Sequence, residues 1–96
     1  MIKAPHPGKT IKEDYLIPLG MSVNRLAGVL GVSPARLNEI VTGKRGITAD
    51  TALRLARCFG RSAKFWLNLQ SLYDLRMAER KARARIDREV KPLKVA

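Results

Sequence analysis

Between Ser33 and Thr48 the chain reads SPARLNEIVTGKRGIT, and within it stand side chains suited to reading nucleic acid. The planar fork of Arg36 matches guanine O6 and N7, the amide of Asn38 matches adenine N6 and N7, and Glu39 can accept from cytosine N4. Pairing of Glu39 with a nearby arginine is the simpler use of that carboxylate. Thr42, Lys44 and Arg45 follow directly, with Gly43 and Gly46 keeping the backbone low, a combination suited to phosphate oxygens. Such contacts fix position without reading sequence. The local helix signals sharpen the point. Ser33 caps a helix whose first position is Pro34, yet Arg36 takes the third position, where Glu or Gln would close a capping box. A cation there is unfavourable by roughly 0.3–1 kcal/mol, so something must offset it, and docked DNA is one candidate. The plainer reading is an ordinary exposed arginine.

Five helices must position these residues. Pro5, Pro7 and Gly8 break up residues 1–8 into an irregular lead-in. Ile11, Tyr15 and Leu16 then form the apolar face of a short helix ending near Pro18. Ser22 caps a second helix with Leu26, Ala27 and Leu30 on one face and Gly31 at its end. Ser33 opens the third, with Leu37, Ile40 and Val41 inward and Gly43 as its stop. That leaves Pro34, Ala35, Arg36, Asn38 and Glu39 outward, as candidates for base contact. Thr48 and Asp50 open the fourth helix, whose Ala52, Leu55, Ala56 and Phe59 face inward before Gly60.

Ser62 opens the fifth and longest helix. At 100° per residue, Phe65, Trp66, Leu69, Leu72 and Tyr73 share one sector, the expected core face. Leu67, Ser71, Leu75, Ala78 and Ala82 gather on a second sector. One domain needs one such face, so Leu67, Ser71, Leu75 and Ala78 are candidates for a dimer interface, against the simpler alternative of scattered exposed apolar residues. Residues 79–96 continue as a basic helical extension or tail with interleaved acids. It is either a solvated face fraying before Pro92 or an arm touching phosphates.

The 96 residues carry 19 Lys plus Arg against 8 Asp plus Glu, a net charge of +11. On so small a domain that imbalance is the footprint of a polyanion binder. A single cysteine, Cys58, and a single histidine, His6, cannot build a structural zinc site or an internal disulfide. No cofactor or metal is expected. The chain has no long apolar run and no signal-like start, so a cytoplasmic protein without a membrane role is expected. No nucleophile–base pair, carboxylate pair or phosphate loop suggests an enzyme.

Ala27, Gly31, Val32, Leu37 and Ile40 then define a tight pair of helices. The small residue allows close crossing, the glycine a positive φ, and the aliphatics lock the angle. These are the requirements of a helix-turn-helix, whose second helix enters the major groove. Asn24 and Arg25 lie where the first helix of the pair would cross the phosphate backbone, although they suit solvated surface equally well, and Ser33, at the start of the second, is a further candidate for phosphate contact.

The strings HPGKTIKEDYLIPLGMS, RLAGVLGVSPARLNEIVTGKRGITADTALRLARCFG and FWLNLQSLYDL resemble HigA-type (VapI-like) antitoxins of the Xre/Cro helix-turn-helix group. The resemblance runs from His6 to about Ala78. It implies an all-α, five-helix, lambda-repressor-like domain over residues 9–78 with a long C-terminal helix, and a homodimer that represses its own operon by binding double-stranded operator DNA. It further implies a cognate RNA-cleaving toxin neutralised by direct binding. Carried across, the recognition helix is Ser33 to Thr42, with phosphate contacts on Thr42, Lys44 and Arg45. One departure stands out: Val23 occupies a place where many relatives carry a phosphate-anchoring glutamine, so Asn24 and Arg25 must supply the clamp. Two alternatives remain open, a stand-alone phage or plasmid repressor without a toxin and a nonspecific basic nucleic-acid-binding protein. A neighbouring toxin gene separates the first from the antitoxin, and sequence preference separates the second.

Overall fold

Each helix begins where a side chain replaces a missing backbone partner. Ser22, Ser33, Thr48 and Ser62 accept from the N–H groups of Arg25, Arg36, Thr51 and Phe65, at 3.1, 3.1, 3.3 and 3.0 Å. The computed structural model describes residues 4–94, with α1 (Pro7–Ile11), α2 (Val23–Leu30), α3 (Pro34–Val41), α4 (Ala49–Phe59) and α5 (Ala63–Glu89). A wider, π-type stretch, Lys12–Leu16, continues α1, and the Ile17 N–H bonds back to the Lys12 carbonyl at 3.0 Å. Gly31 and Gly60 close α2 and α4 with φ of 73° and 83°, a left-handed geometry that costs glycine nothing.

The first helix starts earlier than the sequence predicts. Pro7 and Gly8, assigned to an irregular lead-in, lie inside α1. Proline is at home in a helix's first position, and His6 caps it by accepting the Gly8 N–H at Nδ1, 2.9 Å away. Gly8 is required by packing rather than by its own dihedrals. A Cβ there would overlap the Ile40 carbonyl, so α1 crosses the end of α3 at backbone contact. The first three residues of the expected lead-in and the last two of the tail lie outside the described residues.

The core joins all five helices. Ile11, Leu26, Ala27, Leu37, Ile40, Ala52, Leu55 and Trp66 have no exposed surface. Tyr15 stacks on Phe59 with ring centres 3.7 Å apart, and Arg61 lies over Phe65 while pairing with Asp14 at 3.1 Å.

On α5 the buried face is rotated from the expected one. Trp66 and Gln70 are its buried residues, whereas Leu72, assigned to the core face, is 41% exposed. Gln70 holds that place because its amide satisfies a buried backbone N–H, which no leucine can do. Beyond Gln70 no described residue is buried, and α5 runs on past the body. Its 27 residues make a rod of about 40 Å. The molecule measures 53 × 25 × 24 Å, and its radius of gyration of 16.5 Å exceeds the roughly 12.5 Å of a compact chain this size. The helix ends at Glu89, ahead of Pro92, as its sequence predicts.

Candidate nucleic-acid interface

The α2–α3 pair has the geometry of a helix-turn-helix. Ala27 is fully buried at the crossing, and Gly31 and the Val32 N–H close the turn back onto the Gly28 and Ala27 carbonyls at 3.3 and 3.0 Å. Arg54 of α4 holds the turn from outside: Nη1 donates to the Leu30 carbonyl at 3.0 Å, while Nε pairs with Asp50 at 2.8 Å. A guanidinium on the last carbonyls of α2 complements that helix's negative end. The hydrogen bond from Arg54 holds the Asp50 carboxyl below the usual range, against the opposing effect of desolvation and with help from the charges of Arg54 and Arg36.

Arg36 does not stand free. Its Nη2 donates to Thr51 Oγ1 at 2.8 Å and to Thr48 Oγ1 at 3.2 Å, while its Nε is buried without a partner. The cation misplaced at the start of α3 is thus taken up by the hydroxyls that open α4, with Asp50 nearby. This contact spans 12 to 15 residues of sequence. Nothing in the local pattern announced it.

The remaining candidates fall into three groups. Pro34, Ala35 and Asn38 are exposed on the outer face of α3, and the Asn38 side chain has no partner among the described residues. Glu39 accepts from Arg45 Nε at 3.2 Å, and the Thr42 hydroxyl donates to the Asn38 carbonyl at 2.8 Å. Ser33 Oγ is occupied by the Arg36 N–H. By contrast Lys44, Asn24 and Arg25 are exposed with their side-chain polar groups free of partners among the described residues. Lys44 therefore leads the loop toward solvent. Its N–H and that of Arg45 both bond to the Glu39 carbonyl, at 2.8 and 3.2 Å, and this turns the chain tightly after α3.

The loop is also held from behind. The Ile47 N–H, buried, donates to Gln70 Oε1 at 2.8 Å, and Gln70 Nε2 donates to Asp74 Oδ1 at 2.9 Å. The His6 ring stands edge-on to Tyr73 with centres 4.8 Å apart. Burial lowers the His6 pKa, with the Asp74 carboxylate and the Arg45 backbone pulling weakly the other way. Arg54, Thr51, Gln70 and Gly8 are the shaping residues that the sequence reading missed. The Asp50–Arg54 spacing of four suits a helical ion pair, but it gives no sign of the reach to the Leu30 carbonyl.

The dimer candidates divide as well. Leu67 is half-buried against the core, while Ser71, Leu75 and Ala78 are exposed on the free flank of α5. Among the described residues, no group of three His, Cys, Asp or Glu side chains could hold a metal, and no helix is long and apolar enough to cross a membrane.

Comparison with known proteins agrees with this geometry. A family model for a helix-turn-helix domain matches residues 11–66. Virulence-associated protein I of Dichelobacter nodosus is 60% identical over 76 residues, covering 79% of this chain and 70% of the relative. An addiction module antidote protein of a HigA family from Coxiella burnetii is 44% identical and superposes with a TM-score of 0.88 over 96% of this chain and 100% of that one. The Pseudomonas aeruginosa antitoxin HigA, solved with the higBA promoter, is 41% identical with a TM-score of 0.90, over 96% and 100% of the two chains.

Proposed function

The chain belongs to the HigA-type (VapI-like) antitoxins of the Xre helix-turn-helix family, and from that membership we propose that it is a homodimeric repressor of its own toxin–antitoxin operon. The observation that carries the proposal is the exposed outer face of α3. It offers Ala35 and the uncommitted Asn38 beside Lys44, with Asn24 and Arg25 at the opening of α2. Asn38 and Ala35 meet base edges in the major groove, with Pro34 alongside them. Lys44, Asn24 and Arg25 meet phosphates on either side, where Val23 makes no such bond. Thr42, Ser33 and Arg45 line the same backbone path, Arg45 while tied to Glu39.

Arg36 takes a different part. A base contact would require it to give up both threonine hydroxyls, so its first role is to brace the recognition helix against α4. Two protomers join through the Ser71, Leu75 and Ala78 flank of α5, which sets the distance between the two recognition helices. The same protein neutralises an RNA-cleaving toxin by direct binding.

The test is a titration against the gene's own upstream region and a scrambled duplex at two salt concentrations. Strong preference for its own DNA supports the repressor. Equal binding, lost together in salt, favours a nonspecific basic protein. Co-purification with the product of a neighbouring reading frame, and suppression of RNA cleavage by that product, tests the toxin partner.

A further inference from the structure

Gln70 is nine-tenths buried, polar, and on the one helix that leaves the body of the domain. Its amide has a fixed orientation. The Ile47 N–H can only donate and the Asp74 carboxylate accepts, so Oε1 faces the loop and Nε2 faces Asp74. The loop is shaped to receive it. Gly46 lies flat on the amide, and a Cβ at that position would stand 3.1–3.3 Å from all three of its outer heavy atoms. Ile47, next in sequence, is buried beneath, and Lys44 stands exposed two residues before Gly46. His6, edge-on to Tyr73 of α5, lies close to Gly43. The segment bearing Lys44 thus meets the cap of α1 near Gly43 and a buried amide of α5 at Gly46 and Ile47.

We propose that Gln70, oriented by Asp74, is a positioning residue for DNA binding: it holds the Thr42–Ile47 loop so that Lys44 meets the phosphate backbone. The proposal rests on the reading of Lys44 as a phosphate contact. Gln70 lies between Leu67 and Ser71, so the helix proposed to join the protomers also sets the loop that grips the DNA. A loop on a surface ordinarily loses entropy when it docks, and a hydrogen bond that orders it beforehand removes part of that cost.

Salt titrations of DNA affinity, with Lys44→Ala, Gln70→Met, Gly46→Ala and the Lys44→Ala/Gln70→Met double variant, decide the matter. They are run well below the thermal midpoint of each variant, which circular dichroism gives. Lys44→Ala is expected to flatten the slope of log K against log salt by about 0.9 for each half-site. Gln70→Met is expected to flatten it by a similar amount, and adding Lys44→Ala to it changes nothing further. Gly46→Ala, which presses on the amide from the loop side, is expected to move the slope the same way. It carries the test if Gln70→Met does not fold.

Two outcomes overturn the proposal, and they differ. If Lys44→Ala flattens the slope while Gln70→Met and Gly46→Ala keep the wild-type slope, Lys44 remains a phosphate contact and Gln70 is merely structural. If Lys44→Ala leaves the slope unchanged, the phosphate reading fails and the positioning role with it.

Discussion

The two halves of α5 are one continuous helix under opposite physical regimes. From Ala63 to Tyr73 it is held by the domain: Trp66 is fully buried, Gln70 ties down the loop and Tyr73 meets His6. From Asp74 to Glu89 no residue is buried. There the Arg76–Glu79, Glu79–Arg83, Arg83–Asp87 and Arg85–Glu89 pairs run along the surface at 2.9, 3.1, 3.6 and 3.8 Å. Such pairs contribute roughly 0.3–0.5 kcal/mol each and weaken in salt. Leu75 and Ile86 stay 55% and 43% exposed. The first half is helical because it is packed; the second is helical by propensity and charge spacing, with an apolar flank left over. The proposed contact with a second protomer lies on that flank.

The contrast breaks most readily at Trp66. Trp66→Ala removes a fully buried indole, and thermal or urea unfolding is expected to record a loss of about 3–5 kcal/mol. A loss under 1 kcal/mol would mean that the packed half is not packed.

On the projecting half, Leu75→Glu is expected to convert dimers to monomers in sedimentation. The isolated fold should change by no more than about 0.5 kcal/mol, because the side chain is already exposed. A dimer that survives places the interface elsewhere.

His6 gives a smaller effect with a definite sign. Its pKa is lowered in the folded chain, chiefly by burial, so the unfolded chain takes the proton first as pH falls. Its stabilising contribution is complete above the ordinary value of 6.5 and is lost as pH falls through the lower folded value. Unfolding measured across that range should show stability declining toward acid in the wild type and a flatter profile in His6→Gln. Identical profiles would remove His6 from the account.

The smallest effect belongs to Glu79→Gln, which deletes the shared partner of Arg76 and Arg83. Helical content should fall slightly at low salt, by an amount worth about 0.6–1 kcal/mol, and the difference should vanish at high salt. Persistence in high salt would show that packing, not charge, supports this half.

What the sequence determined by itself are features whose partners lie within a turn or two, although the local cap of α1 at His6 was not among them. The caps at Ser22, Ser33, Thr48 and Ser62 each found the N–H three residues on, and Gly31 and Gly60 ended their helices as read. The period of Leu26, Ala27, Leu30, Leu37 and Ile40 placed the helix pair, and with it the outward face of α3. Four decisions belonged to tertiary structure. Arg36 turned from solvent to Thr48 and Thr51, and Arg54 reached the Leu30 carbonyl 24 residues away. Gln70 displaced Leu72 from the core face, and Gly8 let α1 meet the Ile40 backbone. For the three polar side chains the physical reason is the same, whereas Gly8 is set by the close approach of α1 to the backbone of α3, which the local pattern does not record either. A hydrophobic period records how much a position gains by leaving water, but a buried polar group is set by which backbone or hydroxyl lies opposite, and that partner exists only once distant helices have packed.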